Sequence, residues 1–142
     1  MPADYHIDRT HLRVTVTIAG AYAPEEIERC YAALFVDPGF VDGLDLVIDG
    51  RASHGSPATV ALRARARRAG ELKGRFSGRI ALVAGSTHIE YALGRMYAVY
   101  AEEFGVAAQV FTSIPDAERW LDGQRASSVT SPAPPPAPLP PP

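Results

Sequence analysis

Four stretches of this chain are apolar, either continuously or at alternate positions, and each is followed by a segment that is apolar every third or fourth residue. Leu12, Val14, Val16 and Ile18 alternate with Arg13, Thr15 and Thr17, the two-residue period of a strand with one buried and one wet face. With His6-Ile7-Asp8 across the polar Arg9-Thr10-His11, this predicts an antiparallel hairpin at a sheet edge. Pro24-Glu25-Glu26 puts proline and acids in a first helical turn, and Ile27, Cys30, Tyr31, Leu34 and Phe35 supply that helix's apolar stripe. Leu44–Asp49 and Arg79–Ala84 read as strands buried on both faces. Between them Ser56-Pro57 supplies a cap and a first-turn proline for a helix whose inner face is Ala58, Leu62, Ala66, Ala69 and Leu72. Arg65 falls inside that apolar arc and must snorkel or pair. Thr87-His88-Ile89-Glu90 fits a capping box. Beyond it Ile89, Ala92, Leu93, Met96, Val99, Tyr100 and Phe104 predict one apolar arc, with Tyr91, Arg95 and Glu102 opposite and Gly105 as the stop. Ala108–Phe111 reads as a last strand, and Ser113-Ile114-Pro115-Asp116 starts a helix that docks Ala117, Trp120 and Leu121.

The order β-β-α-β-α-β-α-β-α predicts an α/β fold with a mainly parallel sheet and an N-terminal β-hairpin. Val47, Ile48, Leu82, Val83, Met96, Phe104, Val110 and Trp120 are expected to be buried. Composition adds a boundary: the last 17 of 142 residues hold eight of the 13 prolines and no charge. One domain is therefore expected over residues 1–124, followed by a disordered proline-rich tail, 125–142, that forms no helix. A net charge of −2 gives no general pull towards nucleic acid or anionic membrane. No apolar run is long enough for a membrane span, and no basic segment precedes an apolar core in the manner of a signal peptide. One cysteine, Cys30, cannot form an intramolecular disulfide, which fits a cytoplasmic location.

In parallel α/β sheets ligands collect beyond the carboxyl ends of the strands, where helix N-termini offer free amides. Two such ends carry functional side chains here: Asp49, Arg51, Ser53 and His54 after one strand, and Ser86, Thr87 and His88 after the next. Tyr91 and Arg95 extend the second. Two arginines beside helix N-termini suit a small anionic ligand or an acidic segment of a protein partner. The bland alternative is that Thr87 and Ser56 only cap, Asp49 pairs with Arg51 and the histidines are solvated. A hydrolase or transferase would use His54 or His88 as general base, but no Gly-x-Ser-x-Gly elbow accompanies them. Neither HExxH nor paired cysteines nor a nucleotide-binding glycine motif occurs, so no metal or organic cofactor is expected. Arg63–Arg79 holds seven basic residues and one acid, Glu71, but without interleaved aromatics, so no nucleic acid is expected as partner. Within the tail, Pro132-Ala133-Pro134-Pro135 and Pro138-Leu139-Pro140-Pro141 have the spacing that aromatic grooves accept.

Val47-Ile48-Asp49-Gly50-Arg51, Arg79-Ile80-Ala81-Leu82-Val83, Tyr91-Ala92-Leu93-Gly94-Arg95-Met96, Val110-Phe111 and Ala117-Glu118-Arg119-Trp120-Leu121, in that order, resemble the SpoIIAA-like proteins of the STAS-domain superfamily. These are small bacterial proteins related in fold to anti-sigma-factor antagonists, and the resemblance covers about residues 5–122. It implies a compact strand–helix sheet and a role in binding or regulation rather than catalysis. The antagonists carry a phosphorylatable serine in an Asp-Ser-Ser-Gly run at the start of the second helix. This chain has Ser53-His54-Gly55-Ser56-Pro57-Ala58-Thr59 there, leaving Ser53, Ser56 and Thr59 as phosphorylation candidates with no preceding acid in the family manner. That departure argues against phosphorylation-driven partner switching.

Overall fold

The computed structural model describes residues 3–54, 59–85 and 87–130. Along the chain run β1 (Ala3–Asp8), β2 (Arg13–Ala21), α1 (Pro24–Phe35), β3 (Asp45–His54), α2 (Thr59–Glu71), β4 (Arg79–Val83), α3 (His88–Glu103), β5 (Ala107–Phe111) and α4 (Ile114–Thr130). The sheet order is β1-β2-β3-β4-β5, with β1 antiparallel to β2 and every later pair parallel. Each crossover steps the same way, so right-handed connections put α1, α2 and α3 on one face. α4 packs on the other face. The predicted α/β class, hairpin and element order are those observed.

Local chemistry accounts for the helix ends. α1 starts at Pro24 with Glu25 and Glu26 in its first turn. The Thr87 hydroxyl accepts the Glu90 amide at 3.2 Å at the start of α3, and the Asp116 amide donates to Ser113 Oγ at 3.3 Å in α4. Gly105, at φ +80°, supplies the left-handed residue that ends α3.

The main core lies between the sheet and the three-helix layer. Val14, Val16, Ile18, Leu46 and Ile80 meet Ile27, Cys30 and Leu34 of α1, Leu62 and Ala66 of α2, and Tyr97 and Ala101 of α3. A smaller core lies under α4, where Ala117 and Leu121 cover Val47, Ala81 and Val83. Of the residues expected to be buried, Val47, Val83 and Val110 are buried, and Ile48, Leu82, Phe104 and Trp120 are half-buried. Met96 is exposed, at 37%, and so are Ile89 at 66% and Val99 at 61%. The inner face of α3 is thus turned roughly a quarter turn from the arc its largest apolar residues predicted. The cause is close packing of small residues: a Cβ on Gly94 would sit 2.7 Å from Val110 Cγ2, and Ala101 is fully buried. Similarly, a Cβ on Gly70 would meet Phe104 Cβ at 2.6 Å, which fixes how closely α2 and α3 approach.

The alternation in β2 predicts a wet Arg13, yet Arg13 is only 3% exposed. α4 covers it, and its guanidinium meets Glu118 at 3.2 Å and Asp122 at 2.5 Å. Beside it Asp45, 1% exposed, accepts from Arg79 Nε at 2.9 Å and pairs with Arg125 at 3.2 Å. Arg125 also donates to the carbonyls of Leu12 and Gly43. These ties carry α4 past the boundary expected at 124, and the helix runs to Thr130 where the tail was expected to form none. The prolines begin only at Pro132, and the tail from 131 lies outside the described residues. Among the described residues no helix is long and apolar enough to cross a membrane.

Candidate functional site

A cavity of about 350 Å³ lies between the sheet and the three-helix layer. Ile18, Leu46, Ile48, Ile80 and Leu82 form its floor, and Ile27, Leu62 and Leu93 help to roof it. It extends along β3 and β4 to Gly50, Ser53, Ala84 and Gly85, so it reaches the carboxyl ends of those strands. Its size is at the small end of the roughly 300–1,000 Å³ typical of ligand sites.

Its lining is mainly apolar but also carries Ser53, three tyrosines and the charged residues Glu28, Arg65, Arg68 and Glu90. Arg65 projects from α2, lies 5.3 Å from the centre of the Tyr22 ring and donates from Nη1 to the Tyr22 hydroxyl at 3.3 Å. It makes no ion pair among the described residues, although Glu28 and Glu90 also line the cavity. Tyr31 and Tyr97 line the same space, and neither hydroxyl has a hydrogen-bond partner among the described residues. Burial pushes the Tyr97 hydroxyl up to about 12, against a small opposing effect of the Arg65 charge. Burial raises Tyr31 too, helped by the neighbouring Tyr97. Both phenols therefore stay protonated at neutral pH and act as hydrogen-bond donors.

The predicted rim is not one site. Asp49 and Arg51 pair with each other, Nε to Oδ1 and Nη2 to Oδ2 both at 2.9 Å. The Arg51 hydrogen bond holds the Asp49 carboxyl below its ordinary value. Ser53 lies elsewhere, on the cavity wall, donating to the Gly50 carbonyl at 2.7 Å. The pairing of β2 with β3 explains the separation. Thr17 faces Asp49 but Ala19 faces Ala52, so a bulge at Gly50-Arg51 inverts the alternation and turns Ser53 to the helical layer. Tyr91 and Arg95 line a groove along β5 with Trp120. Thr87 is the α3 cap and His88, next to it, is exposed. His54 ends β3 and Thr59 begins α2. Ser56 and Ser86 lie outside the described residues. Among the described residues no cluster of three or more His, Cys, Asp or Glu could hold a metal ion.

Sequence reasoning placed Tyr31 in the apolar stripe of α1 and did not single out Tyr22, which precedes that helix, or Tyr97 of α3. The one usable signal was Arg65, a charge within the apolar arc of α2.

An α/β sheet with three helices on one face, one on the other and a cavity reaching the strand ends defines a fold class rather than an individual protein. No protein-family model matches the sequence, and no curated protein sequence matches it. Among solved structures, an uncharacterised protein of the DUF3478 family from Shewanella loihica PV-4, described as having a SpoIIAA-like fold, matches with a TM-score of 0.58. The two are 16% identical, over 84% of this chain and 91% of that one. The fold of this chain is SpoIIAA-like, and the resemblance noted in the sequence is borne out at that level.

Proposed function

We propose that this chain is a STAS-like binding domain that takes a small amphipathic anion into the cavity and performs no chemistry on it. The observation that carries the reading is Arg65, which makes no ion pair among the described residues, in the wall of a mainly apolar cavity. The apolar body of a ligand would displace water from the Ile, Leu and Val surfaces, a gain of about 25 cal/mol per Å² buried. Its carboxylate or phosphate head would take charge-assisted hydrogen bonds from Arg65, with Tyr22, Tyr31 and Tyr97 in reach as neutral donors. Ser53 stands at the strand-end side of the same space, where the sequence placed an anion site. Asp49 and Arg51 satisfy each other and are left as rim. A ligand lodged beneath α2 and α3 would shift their outer faces, and a protein partner would read that shift.

Calorimetric titration with decanoate, decanol and inorganic phosphate tests this. Decanoate should bind, decanol more weakly and phosphate least. Arg65→Met keeps the apolar stem and removes the charge, and it should weaken decanoate by about tenfold or more while sparing decanol. Equal binding of decanoate and decanol, unchanged in Arg65→Met, would remove the anionic part of the proposal. Absence of binding by both would remove the cavity.

A further inference from the structure

The two edges of the sheet are protected very differently. β1 carries Asp4, His6 and Asp8, charged or titratable groups of the kind that discourage strand-to-strand association. β5, Ala107-Ala108-Gln109-Val110-Phe111, has no charge and no proline, and its pairing with β4 shows no register shift. Along this bare edge runs a groove of about 420 Å³ whose wall is one stripe of α3: Tyr91, Arg95, Ala98, Val99 and Glu102. The spacing of four, three, one and three residues places all five on one side of the helix. That side points away from the core-facing Gly94, Tyr97 and Ala101 and leaves Val99 61% exposed. Arg95 and Glu102 make no ion pair among the described residues.

We propose that two copies of this chain associate through the α3–β5 groove about a two-fold axis that passes beside Ala98 and Val99. The stripe is self-complementary under that operation. Reversed upon itself about its midpoint, it sets Arg95 of one copy against Glu102 of the other, twice, with Ala98 and Val99 of both copies between the pairs. The sheet agrees with the helix on where the axis lies. Gly94 is level with Val110, its Cβ position lying 2.7 Å from Val110 Cγ2. The midpoint of Arg95 and Glu102 is four to five residues further along α3, or about 7 Å at the helical rise. At the strand rise of about 3.3 Å that is two residues back along β5, beside Ala108 and next to the strand's central Gln109. One axis thus serves both the charge pairs and the middle of the edge strand. Small Ala98 at the axis lets the helices approach, and the contact buries the exposed Val99 and the open edge of β5 together.

The full chain should sediment as a concentration-dependent dimer. Arg95→Glu and Glu102→Arg each replace two attractions by two repulsions and should raise the dimer dissociation constant about tenfold or more at low salt. The double variant, Arg95→Glu with Glu102→Arg, restores a complementary stripe and should recover the dimer. So should an equimolar mixture of the two single variants. All of these residues lie on the helix surface, and circular dichroism would confirm that each variant is folded. A chain that sediments as a monomer over the whole accessible concentration range overturns the proposal, whatever extended segment the groove then takes. A dimer indifferent to both single reversals overturns it as well.

Discussion

Removing the Asp45 carboxylate should cost more stability than any other single charge deletion in the described fold. Asp45 is 1% exposed at the start of β3, and two guanidinium groups converge on it, Arg79 at 2.9 Å and Arg125 at 3.2 Å. Deleting one partner of a buried ion pair leaves the other uncompensated and costs about 3–5 kcal/mol. Here the arginine side chains are 16% and 29% exposed, so water recovers part of their solvation and Asp45→Ala should cost about 3 kcal/mol. Asp45→Asn keeps the shape and one acceptor oxygen, so about 1–2 kcal/mol is expected. The single tryptophan, Trp120, lies on α4 at 5.7 Å from the Phe111 ring and reports on docking of that helix. Urea unfolding followed by its fluorescence gives both midpoint and slope. A loss under about 1 kcal/mol for Asp45→Ala, with the slope unchanged, would mean that the carboxylate is solvated and that its pairing with Arg125 does not hold α4.

Two further outcomes rest on glycine contacts and on titration. Gly70→Ala drives a Cβ to 2.6 Å from Phe104 Cβ and should destabilise by about 1 kcal/mol or more despite its better helix propensity. Gly123→Ala meets nothing within 4 Å and should stabilise α4 by up to about 1 kcal/mol; thermal melts should move in opposite directions for the pair. On the alkaline side, Tyr97 is raised from 10.0 to about 12, so the unfolded chain loses this proton first. The stability is complete below pH 10 and is lost as pH rises towards 12, and Tyr97→Phe should flatten that limb. On the acid side Asp37, held low by the Tyr5 hydroxyl, and Asp49, held low by Arg51, contribute stability above about pH 4 that disappears as pH falls through their folded values. An alkaline limb unchanged in Tyr97→Phe would contradict the burial of that phenol, and a flat acid limb would contradict the hydrogen bonds to Asp37 and Asp49.

Strand order and helix stripes were legible in the sequence wherever packing follows hydrophobicity. Val14, Val16 and Ile18 alternate into the core, and Ile27, Cys30 and Leu34 fill the stripe of α1. Reading failed where small residues set the distance between elements. Gly94 and Ala101 bring α3 down onto β5, and the larger Met96 and Ile89 are left in water, a preference that no hydropathy pattern encodes. It failed again where burial is ionic: Arg13 and Asp45 look like surface residues until α4 brings Glu118, Asp122 and Arg125 to them. The fall in sequence complexity at Ala126 suggested an end to the helix, but Ser, Val and Thr are poor rather than forbidden helix residues. The cavity was illegible for a different reason. It is a volume left among α1, α2, α3 and the sheet, and its phenols come from separate segments, Tyr22 before α1, Tyr31 in α1 and Tyr97 in α3.

The central claim is that the cavity with Arg65 in its wall is a ligand site. Amide chemical-shift mapping during titration of the full chain with decanoate tests it most directly. The account predicts saturable shifts at Tyr22, Ser53, Leu62, Arg65 and Tyr97, on the helical side of the sheet, and their loss in Arg65→Met at the same ligand concentration. Shifts confined to Asp49 and Arg51, or to the α3–β5 groove around Arg95 and Gln109, would contradict it.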